Sequence, residues 1–189
     1  MGWFKLMVQQ LNYPSTTKMA SIMSEAFPDR LISIRNNLQP GDVGYITYLH
    51  GTLYALEQGW NHTFDAYVAV PLSMFAKSQS SRERIWIVEK EGRIAGSMAI
   101  VKFSDTEAQL RWLLLNPEVR GQGLGRRLME EGLDFCRKSR YSSVFLWTVS
   151  TLPIAAMLYQ SMGFKKTEEL THELWGSIVT EVKYDLVLK

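Results

Sequence analysis

Cys136 is the only cysteine. An intramolecular disulfide and a zinc site built on several thiolates are therefore excluded. The three histidines, His50, His62 and His172, show no metal-ligand spacing, so no metal is expected. No apolar run approaches the roughly 20 residues of a membrane span. The opening MGWFKLMVQQ lacks the long apolar stretch and cleavage site of a signal peptide. Leu6 stands where a myristoylation motif needs Ser or Thr. A surplus of one charge is missing too: 21 Lys and Arg face 19 Asp and Glu, a net charge of +2. There is no basic tail and no basic stripe interleaved with aromatics, which argues against a nucleic-acid partner. Internal repeats and low-complexity tracts are also absent. The expectation is a cytoplasmic protein away from the membrane.

What is present is ordinary globular material, 46% hydrophobic and 21% charged over 189 residues. That length buries a core without staples. Residues 1–30 read as an N-terminal extension, with a short amphipathic helix over 17–27, and residues 31–189 as one domain. LISIRNN reads as a strand before the turn signal QPGD. Asp42 is expected to cap a helix to about Gln58, with Ile46, Leu49, Leu53 and Leu56 as its apolar stripe. TFDAYVAVPLSMFAK reads as a second helix, disturbed near Pro71. RIWIVEKEGRIAGSMAIVKF has the pattern of a hairpin, and EAQLRWLLLN that of a further strand. A strongly amphipathic helix follows from Leu124. SSVFLWTV is a strand and PIAAMLYQSM a helix with Pro153 near its first position. KKTEELTHEL and TEVKYDLVLK are two last strands, joined by a long hairpin. Helices interleaved with a mixed sheet make the class α/β or α+β.

NPEVRGQGLGRRLMEEGLDFC holds the feature with most chemistry. Gly121, Gly123 and Gly125 alternate beside Arg120, Arg126 and Arg127 at the start of a helix. A helix start carries unpaired N–H groups and partial positive charge, which suit a phosphate. Glycines let the backbone approach closely. No Gly-Lys-Ser/Thr follows, so this is not a Walker loop, and the spacing is not the dinucleotide G-x-G-x-x-G.

Arg120-Gly121-Gln122-Gly123-Leu124-Gly125 resembles the R/Q-x-x-G-x-G/A signature of the GNAT acyl-coenzyme A N-acyltransferases. LLLNPEVRGQGLGRRLM looks like that family's fourth strand, pyrophosphate loop and third helix, and AAMLYQSMGF resembles a further segment of it. The resemblance spans residues 31–189. Within the family, residues 41–68 are similar to the start of GNAT domains fused to MarR-type regulators, here without the regulator.

The resemblance implies the GNAT fold: a mixed, mostly antiparallel central sheet flanked by helices. It implies acetyl-CoA as co-substrate and a primary amine of a small molecule as acceptor, by direct attack in a ternary complex. Cofactor contacts carry over to Leu113, Leu115, Arg120, Gly121, Gln122, Gly123, Leu124, Gly125 and Arg126. Tyr159 takes the general acid's place, as a phenol near its ordinary pKa. Leu152 departs from the Asn that many members carry seven residues before that Tyr. The base is less defined. Glu57 and His50 share a helix face, and Asp65 can join them. Tyr45, Tyr48, Tyr54, Trp60, Phe64 and Tyr67 are candidate walls of an acceptor pocket, or plain core. The family resemblance also allows a homodimer. Two other readings stand beside this one: a non-catalytic acyl-CoA sensor or interaction module, and an acetyltransferase of protein N-termini or lysines.

Overall fold

A computed structural model of the chain describes residues 32–78 and 80–189, so the helix expected over 17–27 lies outside the described residues. The elements are β1 (Ile32–Arg35), α1 (Asp42–Gln58), α2 (Thr63–Ser78), β2 (Arg84–Lys90), β3 (Arg93–Lys102), β4 (Glu107–Leu115), a 3-10 turn (Pro117–Val119), α3 (Leu124–Lys138), β5 (Ser143–Val149), α4 (Pro153–Ser161), β6 (Lys165–Leu174) and β7 (Ser177–Val187). Their order is the one the hydrophobic periodicities predict. The contacts gather Ile34–Lys189 into one compact unit.

The strands form one sheet in the order β1-β2-β3-β4-β5-β7-β6. Pairing is antiparallel at β2–β3, β3–β4, β5–β7 and β6–β7, and parallel at β4–β5. Alternation along β3 sends neighbouring side chains to opposite faces. Ala99 joins Ile85 and Ile87 of β2 in a core cluster with Ile46 of α1 and Phe64, Val68, Leu72 and Phe75 of α2. Met98 and Ile100 turn the other way, close against Gly132 of α3. The buried face of α3 is Leu124, Leu128, Met129, Gly132, Leu133, Phe135 and Cys136. Each fully buried Leu or Met there contributes about 1.5–3 kcal/mol of burial free energy.

Several local expectations are corrected. Gly41, not Asp42, precedes the first turn of α1 as its cap. The Asp42 carboxylate is engaged elsewhere, accepting from Arg35 at 2.7 and 2.8 Å and from the Gln39 N–H at 2.6 Å. Leu56 is 83% exposed and leaves the apolar stripe. α2 runs unbroken through Pro71, because buried Val68, Leu72 and Phe75 hold both sides of the lost N–H bond in place. The last hairpin is tight rather than long. Leu174 pairs with Ser177, leaving Trp175 and Gly176 as a two-residue turn. Both turn residues have positive φ, 52° and 78°, the geometry that matches strand twist.

Candidate active site

Two irregularities of the sheet make the site. The parallel β4–β5 ladder holds only three pairs, Glu107 with Ser143, Ala108 with Val144 and Gln109 with Phe145. Beyond them β5 continues along β7 to the Val149–Glu181 pair, while β4 keeps only its β3 neighbour to the Leu115–Gly96 pair. The backbone edge of β4 from Leu110 to Leu115 therefore faces a widening gap.

The second irregularity is a bulge in β4. Ser97 pairs with Leu114 and Ala99 with Arg111, so Trp112 and Leu113 together oppose Met98. Trp112 takes φ 52°, a costly conformation for a bulky residue. The Ser97 hydroxyl donates to the Trp112 carbonyl at 2.8 Å, which satisfies a group the bulge removes from the ladder.

A cavity of about 710 Å³ fills the gap. One end is walled by Leu113, Leu114, Leu115, Arg120, Gly121 and Gly125. Here α3 begins without a side-chain cap, directly after Gly123 at φ 77°. The first N–H groups of the helix are thus free for a ligand. A Cβ added at Gly121 or Gly123 would meet nothing within 4 Å. The loop backbone faces open space there, which leaves room for a group the size of a pyrophosphate. Gln122 donates to the Glu118 carbonyl at 3.3 Å, and Arg126 to the Ser161 hydroxyl at 3.2 Å. Leu124 is buried in the core. Those three residues and Gly123 do not line the cavity itself. Leu152 lines it and offers no capping side chain to α4.

Tyr159 lines the middle of the cavity and is 5% exposed. Burial, reinforced by Tyr54 and Tyr184, pushes its phenol well above the ordinary tyrosine range. The expectation of a phenol near its usual pKa is thereby corrected. Desolvation disfavours the phenolate.

Of the base candidates, His50 and Glu57 reach the cavity wall and Asp65 does not. The Asp65 carboxylate lies against Gly51 of α1 instead. His50 is buried, with Nδ1 2.8 Å from the Ile46 carbonyl. Burial lowers its pKa to about 4, against the small opposing effect of that bond. Glu57 accepts from Arg120 at 2.7 Å. Sequence reasoning missed Glu181 of β7, which lines the cavity with a side chain 15% exposed and lies 2.8 Å from His172 Nε2. Nothing in the local sequence singles it out, because its place depends on the sheet order.

The far end of the cavity is aromatic. Tyr54, Trp60, Phe64 and Tyr67 line it as expected, joined by Trp112 and Trp175. Tyr45 and Tyr48 do not. They are exposed and pair with each other at 6.1 Å. Trp175, strained at its turn, packs tilted or edge-on with ring centres 4.3–5.0 Å from those of Trp60, Phe64 and Tyr67. The Asn61 N–H donates to its carbonyl at 2.9 Å. The β6–β7 hairpin is thereby pinned over the α1–α2 corner. Among the described residues no group of three or more His, Cys, Asp or Glu is placed to hold a metal.

The acetyltransferase (GNAT) family model matches residues 51–164, well over half the chain. The chain belongs to the GNAT acetyltransferase family. It is 30% identical over 142 residues to human N-acetyltransferase 8B, covering 71% of this chain and 62% of that protein. The chain thus spans about three fifths of the length of that relative. In fold it resembles an acetyltransferase of Streptococcus agalactiae, with a TM-score of 0.68 at 20% identity, covering 84% of this chain and 99% of that one. A Salmonella typhimurium protein solved with its cofactor acetyl-CoA gives 0.67 at 19% identity, covering 84% and 95%. These neighbours and the sheet order make this a GNAT fold. No helix among the described residues is long and apolar enough to cross a membrane.

Proposed function

We propose that this GNAT protein transfers an acetyl group from acetyl-CoA to a primary amine of a small molecule, by direct attack in a ternary complex. The observation that carries the proposal is the β4–β5 gap opening onto the uncapped, glycine-flanked start of α3. Acetyl-CoA supplies the activated thioester. The backbone N–H groups of residues 121–126, with Arg120 and Arg126, receive its pyrophosphate. The free edge of β4 at Leu113 and Leu115 pairs with the extended arm, and an N–H there polarises the carbonyl.

Tyr159 holds the proton for the departing sulfur. The burial that raises the phenol also raises a thiol in the same wall, so the two remain matched. Glu181 is the better-placed base. Glu57 is tied to Arg120, and His50 is buried with its Nδ1 held 2.8 Å from the Ile46 carbonyl. Glu181 also has His172, a partly exposed ring, as an exit for the proton.

Residues 31–189 would form the catalytic domain, with 1–30 as an extension. The likeness of residues 41–68 to regulator-fused domains rests on sequence alone, and the relative reported above is an N-acetyltransferase 8-type protein. A cytoplasmic setting is compatible with one buried cysteine, Cys136, and a homodimer is tested by light scattering.

The test is thermal stability with and without acetyl-CoA, followed by thiol release against a panel of amines. Cofactor at 100 times its Kd should stabilise by about 2.7 kcal/mol. A shift with turnover supports the transferase. A shift without turnover favours a sensor, and no shift at saturation refutes both.

A further inference from the structure

We infer that Arg111 is the anion-recognition residue of the acceptor pocket, and that the acceptor is a zwitterion, an amino acid with an apolar side chain. This rests on the proposed acyl transfer at the same cavity and adds the acceptor's chemical class.

Arg111 sits on the cavity wall just before the β4 bulge. It is four residues upstream of Leu115, on the order of 10 Å from the loop end at roughly 3.3 Å per strand residue. Its guanidinium lies 5.1 Å from the Trp112 ring centre and 6.0 Å from that of Tyr67. Among the described residues no carboxylate or carbonyl accepts a hydrogen bond from it, and burial lowers its pKa with only the Tyr67 phenol opposing. The cavity's other arginine differs: Arg120 is paired with Glu57 at 2.7 Å. A half-buried cation without a partner is costly. An incoming carboxylate offsets that cost through two parallel charge-assisted bonds to the planar fork.

The pocket also presents the opposite charge. Arg111 and Glu181 both lie close enough to the Tyr67 phenol to act on it electrostatically, with opposite sign. One cation and one anion on the cavity wall thus act on a single ring. That arrangement is complementary to the carboxylate and ammonium of one small molecule, with the ammonium toward Glu181. The aromatic walls of Tyr54, Phe64 and Trp175 leave an apolar place for the rest of the acceptor.

The experiment measures calorimetric binding of N-acetyl leucine, methionine and phenylalanine, each against its decarboxylated N-acetyl amine, in the presence of CoA. These ligands carry the carboxylate but no ammonium, so they isolate the anion site. The same pairs without the acetyl group are then compared as acceptors by thiol release. The carboxylated member should bind at least tenfold tighter, and KM should follow the same order. Arg111→Gln should erase the discrimination while CoA affinity is unchanged, and Arg111→Lys should restore part of it. Equal binding within every pair, no binding of any N-acetyl amino acid, or discrimination that survives in Arg111→Gln would each overturn the inference. CoA binding by the unaltered protein is read separately. Its absence is the failure of the transferase proposal, whereas CoA binding and turnover without carboxylate preference is the failure of this one alone.

Discussion

Glu57 on α1 accepts a 2.7 Å hydrogen bond from Arg120 Nη2, while Arg120 Nε donates to the Leu115 carbonyl at 2.8 Å. One guanidinium thus joins α1, the end of β4 and the glycine loop. Glu57 competes with any phosphate for that cation. Glu57→Gln should therefore tighten acetyl-CoA binding by roughly threefold at low salt, with the gain fading at high salt. Because the pair is partly exposed, stability should fall by less than about 1 kcal/mol. Calorimetry at two salt concentrations tests this, and weaker binding would show that the carboxylate positions Arg120 for the ligand.

Tyr159→Phe removes the proposed acid and little else, since the ring remains in its wall. Turnover should fall by about two orders of magnitude or more, with cofactor affinity nearly unchanged. Stopped-flow thiol release beside a binding titration separates the two quantities. Full activity would remove Tyr159 from the mechanism. Gly123→Glu should do the reverse, abolishing cofactor binding through bulk, charge and a strained φ.

Glu181→Gln should lower kcat at least tenfold while CoA affinity in a binding titration is unchanged. His172→Gln should have a smaller effect, because water can replace it as the exit. An undiminished kcat in Glu181→Gln would move the base elsewhere.

Ser97→Ala leaves the Trp112 carbonyl without its donor inside the sheet. The expected loss is about 1–3 kcal/mol, read from urea denaturation. Activity should fall beyond that, because the bulge sets the course of the β4 edge.

His50 makes stability pH-dependent. Its folded pKa of about 4 lies below the ordinary 6.5, so the unfolded chain binds its proton first as pH falls. Stability should be complete above about pH 6.5 and be lost progressively down to about pH 4, by about 3 kcal/mol in all. His50→Phe should flatten that window in a melting-temperature series. Asp42 acts lower. Burial opposes its ionisation, but Arg35 and the Gln39 N–H outweigh that and hold its carboxyl below the usual range. Its contribution is present above about pH 4 and lost as pH falls through the depressed value.

Much of the fold is legible because periodicity is a local property. The strongly amphipathic helix expected from Leu124 is α3, which starts at that residue and buries one face, and the order of elements follows from runs and turns. The glycine loop is legible for the same reason: its residues are contiguous. The acceptor end is not. Arg111 lies on β4, Glu181 on β7 and Trp175 in the β6–β7 turn, and only the order β4-β5-β7-β6 brings them to one cavity. The bulge at Trp112 leaves no mark in EAQLRWLLL, which alternates as if the strand were regular. Trp175 masks its own turn, since a bulky aromatic is an improbable residue at positive φ. Its packing on Trp60 and Phe64 offsets the strain, and packing is what a sequence does not display.

The three-pair ladder between β4 and β5 has a mechanical meaning as well. It is the sole strand seam joining β2–β4 to β5–β7 among the described residues, so the sheet is bound like a book along a short spine. Pages bound that way part most easily at the open edge, where Leu115 and Val149 stand. A molecule lying between them, paired to one leaf and packed on the other, acts as a clasp. Occupancy should then be felt as stiffness across the whole sheet, with slowed amide exchange on strands that never touch the ligand.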